Sequence, residues 1–81
     1  MSELSFTEAV LATIKGEAKA RGISLRDVSV NAGFGPETVR GYVNRGRPMN
    51  TDVMYAVAGG LGMEFEDFID LVMLRIQQSR K

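Results

Sequence analysis

Neither cysteine nor histidine occurs anywhere in the chain. The first absence excludes disulfides and thiolate chemistry, and the second removes histidine-ligated metal and any imidazole acid–base pair. Packing alone must then hold the fold. No apolar run approaches the roughly 18 residues of a membrane-spanning helix. The opening MSELS has neither the basic nor the apolar region of a secretory signal. A cytoplasmic protein is expected. Strand signals, internal repeats, low-complexity tracts and linkers are missing as well, so the 81 residues are expected to form one domain, 1–81, around one core. At this size folding buries roughly 60% of the surface of the unfolded chain.

Charge is absent only as a sum. The formal net charge is +0, yet Lys15, Lys19, Arg21, Arg26, Arg40, Arg45 and Arg47 stand against only Glu17, Asp27 and Glu37 between positions 15 and 47. Residues 48–74 invert the pattern, with Asp52, Glu64, Glu66, Asp67 and Asp70 and no base. A solvated mixed surface produces such segregation, and so does a face that meets an anionic partner. Within GPETVRGYVNRGRP, residues 35–48, three arginines face one acid.

Five helices account for the whole pattern, and an all-α fold is expected. Ser5 and Glu8 have the S-x-x-E spacing in which each side chain satisfies a free amide at a helix start. Helix 1 is expected to run to about Arg21, with Phe6, Val10, Ile14 and Ala18 on one face and Gly22 as its stop. Ser24 and Asp27 repeat the start for a short helix 2 through Ala32, which buries Leu25 or Val28 with Ala32 and ends at Gly33. Gly35 is a permissible cap for helix 3, and Pro36 suits a first helical position, whose amide is free in any case. Helix 3, 36–44, is expected to bury Val39, Tyr42 and Val43 and to present Glu37, Arg40, Gly41 and Asn44 outward.

After Arg45-Gly46-Arg47-Pro48-Met49, Asn50 or Thr51 is expected to cap a fourth helix through Leu61 that buries Val53, Met54, Val57 and Leu61. Two glycines near its end, Gly59 and Gly60, cost roughly 1 kcal/mol each against alanine, so either the helix frays there or another backbone comes close. Helix 5, about 65–78, carries acids early and Arg75, Arg80 and Lys81 late, as the helix dipole prefers. Its apolar stripe is Phe65, Phe68, Ile69, Val72 and Ile76, while Leu71 and Leu74 fall outside it near Asp67 and Gln78. Met49, Met54, Met63 and Met73 read as core fillers.

Two short helices about a glycine turn, over about 24–44, form a helix-turn-helix pattern. Residues 22–68 resemble the lambda repressor/Cro-like, phage-repressor type of helix-turn-helix. The resemblance is carried by Val28, the small Ser29, Ala32, the turn residue Gly33, Phe34, Val39 and Tyr42, and it extends to GISLRDV, RGRP and VAGGLGMEFEDF. The chain departs from the family at Leu25, where glutamine commonly touches a phosphate, at Arg45, where a loop glycine usually sits, and at Gly41 in mid-helix. The resemblance implies a five-helix DNA-binding domain of phage, plasmid or bacterial kind, acting in transcription regulation as a repressor or as the small partner of one.

Helix 3 is then the element for the major groove. Arginine pairs bidentately with guanine, asparagine with adenine, and a carboxylate accepts from cytosine. Arg40 is the foremost expected base reader; Glu37 and Asn44 follow, and Pro36 offers only apolar or steric contact. The plain alternative is that Glu37 and Arg40, three apart, pair with each other on a solvated face. Arg45, Arg47 and Arg26, with the amides around Asn50 and Thr51, are the expected phosphate contacts, which position rather than specify. Their alternative is ordinary surface charge.

Other chemistries fit less well. Gly33-Phe34-Gly35 follows no strand and no Gly-Lys-Ser/Thr occurs, so a nucleotide loop is rejected. Acids in the first turns of helix 5 need only the dipole, and no calcium-loop pattern is present. No metal, no cofactor and no enzymatic activity are expected. The competing reading is a helix-turn-helix module that binds another protein, as an antitoxin or modulator does. Double-stranded DNA is the expected partner and a homodimer the expected state. Leu71, Leu74 and Gln78 lie at the expected dimer interface, because two-fold pairing sets recognition helices about 34 Å apart on successive groove turns.

Overall fold

Both serine caps form as their spacing predicts. In the computed structural model, which describes residues 4–80, Ser5 Oγ accepts the Glu8 N–H at 3.1 Å while Glu8 Oε1 accepts the Ser5 N–H at 2.8 Å. Ser24 and Asp27 close the same reciprocal pair at 3.0 and 3.3 Å. These open α1 (Phe6–Ala20) and α2 (Leu25–Asn31); α3 (Thr38–Arg45), α4 (Thr51–Gly60) and α5 (Phe65–Ser79) complete an all-α chain, with no strand among the described residues. Asn50, rather than Thr51, caps α4: its Oδ1 accepts the Val53 N–H at 2.8 Å. No helix of the described residues is long and apolar enough to cross a membrane.

Every helix sends a fully buried side chain to the core: Ile14 from α1, Val28 from α2, Val39 from α3, Val57 from α4, and Phe68 and Val72 from α5. Each burial of this kind contributes about 1.5–3 kcal/mol. The α1 helix packs chiefly on α5, α2 lies against both α3 and α4, and α4 also meets α5. The Gly59-Gly60 question is answered by close approach. A Cβ at position 60 would lie 2.5 Å from the Val28 carbonyl oxygen and 3.1 Å from the Ala32 Cβ, so α2 and α4 cross backbone to backbone there. Position 59 faces open space.

Several expectations need correction. The α3 helix begins at Thr38, not at Pro36. The Thr38 N–H donates to the Gly35 carbonyl in a tight turn at 3.2 Å, and Glu37 has φ −103° and ψ 0°. The amide of Val39, which a helix starting at Pro36 would commit to Gly35, donates instead to the Ser29 hydroxyl at 2.8 Å. A side chain of α2 thus moves the start of α3. Phe6 is 45% exposed although it shares a face with buried Val10, Ile14 and Ala18, because it stands on the first residue of α1, at the margin of the core. Thr13 takes up core space instead, its hydroxyl satisfied by donating to the Ala9 carbonyl at 2.7 Å.

On α5, Leu71 is half-buried rather than left in water, and Arg75, one turn on, lies across Gly16 of α1. Leu74 and Gln78 are exposed. Met73, expected in the core with Met54, is 41% exposed, since it lies off the stripe formed by Phe68, Val72 and Ile76. Met49 and Met63 pack partly against the core.

Candidate functional site

The basic stretch is built on α3 and on the loop that leaves it. Gly33 turns the chain between α2 and α3 with φ +87°, a conformation that costs other residues roughly 1–2 kcal/mol. The Phe34 N–H then reaches back to the Ser29 carbonyl at 2.9 Å. Fully buried Ser29 lies under the crossing and binds the Val39 amide, so one small polar residue both permits the close packing of α2 and α3 and fixes the first turn of α3.

At its other end α3 closes on Gly46, whose left-handed backbone (φ 64°) stands one position after Arg45. The Gly46 N–H donates to the Val43 carbonyl at 3.4 Å and the Arg47 N–H to the Tyr42 carbonyl at 3.1 Å, the paired bonds of a Schellman closure. That closure folds Arg47 back along the helix. Its guanidinium lies over the Tyr42 ring, 5.4 Å from the centroid. Stacking uses the face of a guanidinium and leaves its in-plane N–H groups for an acceptor.

The resulting surface is concave. Gly35, Pro36, Glu37, Thr38, Gly41, Tyr42, Arg45 and Arg47 line an open cleft of about 570 Å³. Four of the expected site residues, Pro36, Glu37, Arg45 and Arg47, are thereby brought together. Pro36 and Glu37 reach it from the turn before α3 rather than from the helix itself. Arg40 and Asn44 are exposed one turn apart on α3. Neither lines the cleft, and the Arg40 Nη1 donates to Glu37 Oε1 at 3.3 Å, so two of the expected base readers pair with each other. Both are at least half exposed, and such a pair contributes only a few tenths of a kcal/mol.

Arg26, Asn50 and Thr51 are exposed on α2 and at the start of α4, outside this cleft, and the Asn50 side-chain Oδ1 is already engaged by the Val53 N–H. Among the described residues no carboxylate lies within 4.0 Å of the Arg26, Arg45 or Arg47 guanidinium. Gly35, Thr38, Gly41 and Tyr42 were not expected in a site. Tyr42 was assigned to the core, which it only half enters. The signal that locates it is Gly46: a glycine closing a helix brings the next residue, Arg47, against the one four before the glycine. Gly41 has nothing within 4 Å of where its Cβ would stand, so it leaves a gap in the helix surface beside Tyr42.

No protein-family model, curated protein or solved structure matches the chain.

Proposed function

We propose that the protein is a sequence-specific double-stranded DNA-binding regulator, in which α2, the Gly33 turn and α3 act as a helix-turn-helix of the lambda repressor/Cro-like kind. One observation carries the reading. In a chain of zero net charge, Arg40, Arg45 and Arg47 gather on the outer face and end of a short helix, and Arg45 and Arg47 have no described carboxylate to neutralise them.

A helix of this width enters the major groove, and arginine and asparagine one turn apart address neighbouring bases. Arg40 reads guanine, Asn44 and Glu37 act beside it, and Pro36 makes steric contact. Arg45 and Arg47, with Arg26 and the free amides at the start of α4 around Asn50 and Thr51, hold phosphates. Groove reading by one short helix covers few base pairs, so the regulator acts as a homodimer, a repressor on a roughly palindromic site, with exposed Leu74 and Gln78 and half-buried Leu71 at the α5 interface.

Titration against random duplex DNA at several salt concentrations tests the reading, because phosphate neutralisation requires affinity to fall as salt rises. Sites selected from a randomised duplex pool then separate the roles. Arg40→Ala is expected to lose about 1–3 kcal/mol at the selected site and little on random DNA. Arg47→Ala weakens both and reduces the salt slope by about one. Salt-independent binding, or equal effects of the two substitutions, overturns the assignment. Sedimentation equilibrium of Leu74→Glu tests the interface without disturbing half-buried Leu71; an undiminished dimer rules it out.

A further inference from the structure

Beyond the amides at its start, around Asn50 and Thr51, the acidic, base-free segment 48–74 has no place in the proposed DNA face, and the structure gives it a surface of its own. Tyr55 on α4 is 67% exposed, the most of the large apolar side chains among the described residues. Its ring centroid lies 5.5 Å from that of Phe65, with the planes tilted by 40°. From Phe65 the row continues along α5 at intervals of four through Ile69, half-buried, to Met73, 41% exposed. Beside Tyr55, one turn on, Gly59 leaves open space instead of a covering side chain. The result is a two-helix apolar strip, partly seated on the core and open to water along its crest.

Along α4 and α5 as far as position 74 its border is acidic, and the nearest bases stand at its ends, Arg80 past Met73 and Arg21 by Gly62. Asp52 stands one turn before Tyr55, and Glu66 and Asp70 run beside the Phe65–Ile69–Met73 row; all three are exposed, and no Lys or Arg occurs between 48 and 74. An apolar patch ringed by polar groups marks a contact surface, and the charge of the ring selects the partner. Two copies meeting on this face would bring the same three carboxylates from each to a common rim, which disfavours self-pairing. Nucleic acid and anionic membranes are repelled in the same way.

We propose that the α4–α5 face is a docking site for a segment of another protein, an amphipathic helix whose apolar side chains lie on the Tyr55–Phe65–Ile69–Met73 strip and whose flanking lysines or arginines meet Asp52, Glu66 and Asp70. Apolar anchors at intervals of three and four residues give the affinity, and the basic flank gives the selectivity. The strip lies on the opposite flank of α5 from Leu71. It is independent of whether α3 binds DNA.

Selection from a displayed library of random peptides on the immobilised full chain tests this directly. The expected consensus combines apolar residues at helical spacing with lysine or arginine. A synthetic peptide of that consensus is expected to lose affinity at least tenfold on Tyr55→Ala with Met73→Ala, and separately on Glu66→Lys with Asp70→Lys. All four side chains are substantially exposed, so both double variants should retain the wild-type thermal transition, and the charge-reversed pair tests the site even where the apolar pair perturbs packing. No enrichment, an acidic consensus, or binding that survives both double variants overturns the proposal. So does a wild-type dimer that Tyr55→Glu dissociates, which would make a second copy the occupant.

Discussion

The hydroxyl of Ser29 accepts the backbone N–H of Val39 at 2.8 Å, with both residues fully buried. One of the free amides in the first turn of α3 is thus satisfied by α2, and the bond sets where the arginine-bearing helix begins. Ser29→Ala leaves that amide buried and unpaired, at a cost of about 1–3 kcal/mol. For a domain of this size each kcal/mol corresponds to roughly 4–8 °C in Tm. Thermal unfolding followed by circular dichroism measures it, and a Tm within a degree of wild type would show that the bond does not hold α3.

Neighbouring glycines in α4 are expected to respond with opposite signs. Gly59→Ala adds a methyl in open space and gains up to about 1 kcal/mol of helix propensity. At position 60 the added carbon meets the Val28 carbonyl oxygen at 2.5 Å, which forces α2 and α4 apart. Gly60→Ala should therefore lose stability, by roughly 1–3 kcal/mol as overpacking does. Denaturant titration of the two single variants is decisive: changes of the same sign would contradict the crossing.

Glu37 holds one edge of the Arg40 guanidinium and adds a negative charge to the proposed DNA face. Replacing it by glutamine should change folding stability by less than about 0.5 kcal/mol, because the pair is exposed. Affinity for random duplex should rise severalfold at low salt, and the gain should fade as salt is added. Unchanged affinity at every salt concentration would place Glu37 away from the DNA.

Acid should weaken the start of α1. Hydrogen bonding from the Ser5 backbone amide, and then from its hydroxyl, holds the exposed Glu8 carboxyl below the ordinary glutamate range. A group lowered on folding contributes stability that is present above its unfolded pKa and lost as pH falls through the folded one. The gap in Tm between wild type and Glu8→Ala is thus expected to narrow as pH drops from about 7 toward 2. A gap that stays constant would assign the effect of Glu8 to helix propensity alone.

Elements set by neighbours in sequence were legible in it. The reciprocal caps at Ser5 and Ser24, the turn at Gly33 and the apolar rows of α4 and α5 depend on contacts within a few residues, and local patterning describes such contacts. Gly59 and Gly60 announced a close approach without naming its partner, since nothing local specifies that α2 would cross there. The start of α3 was misread because Pro36 satisfies every local rule for a first helical residue, while the Ser29–Val39 bond joins residues on different helices. Tyr42 is a similar case. Its period placed it in the core, but an amphipathic ring half enters the core and takes Arg47 on its outer face. Phe6 was misplaced because a helical wheel records angle and not distance from the centre of the core, and Met73 because residue type suggested the core although its angle lies off the α5 stripe. The arginines marked α3 and its loop as basic but not as concave: Arg40, the foremost expected reader, stands outside the lining of the cleft, and Gly41, which lies in it, reads in a sequence only as a weakness in a helix.

The Leu4 N–H donates to Ser79 Oγ at 2.9 Å, and that hydroxyl donates in turn to the Ile76 carbonyl at 2.7 Å. The start of α1 and the end of α5 therefore meet, and the covalent order of the helices is not the order the fold requires. A short glycine-rich joint between these two points would let the chain be cut elsewhere, and the exposed stretch 45–48 is a natural place. Such a rearranged chain would keep all five helices but would sever α3 from α4, leaving Arg45 and Arg47 on a free end. It would show whether these arginines need a closed loop to hold their places.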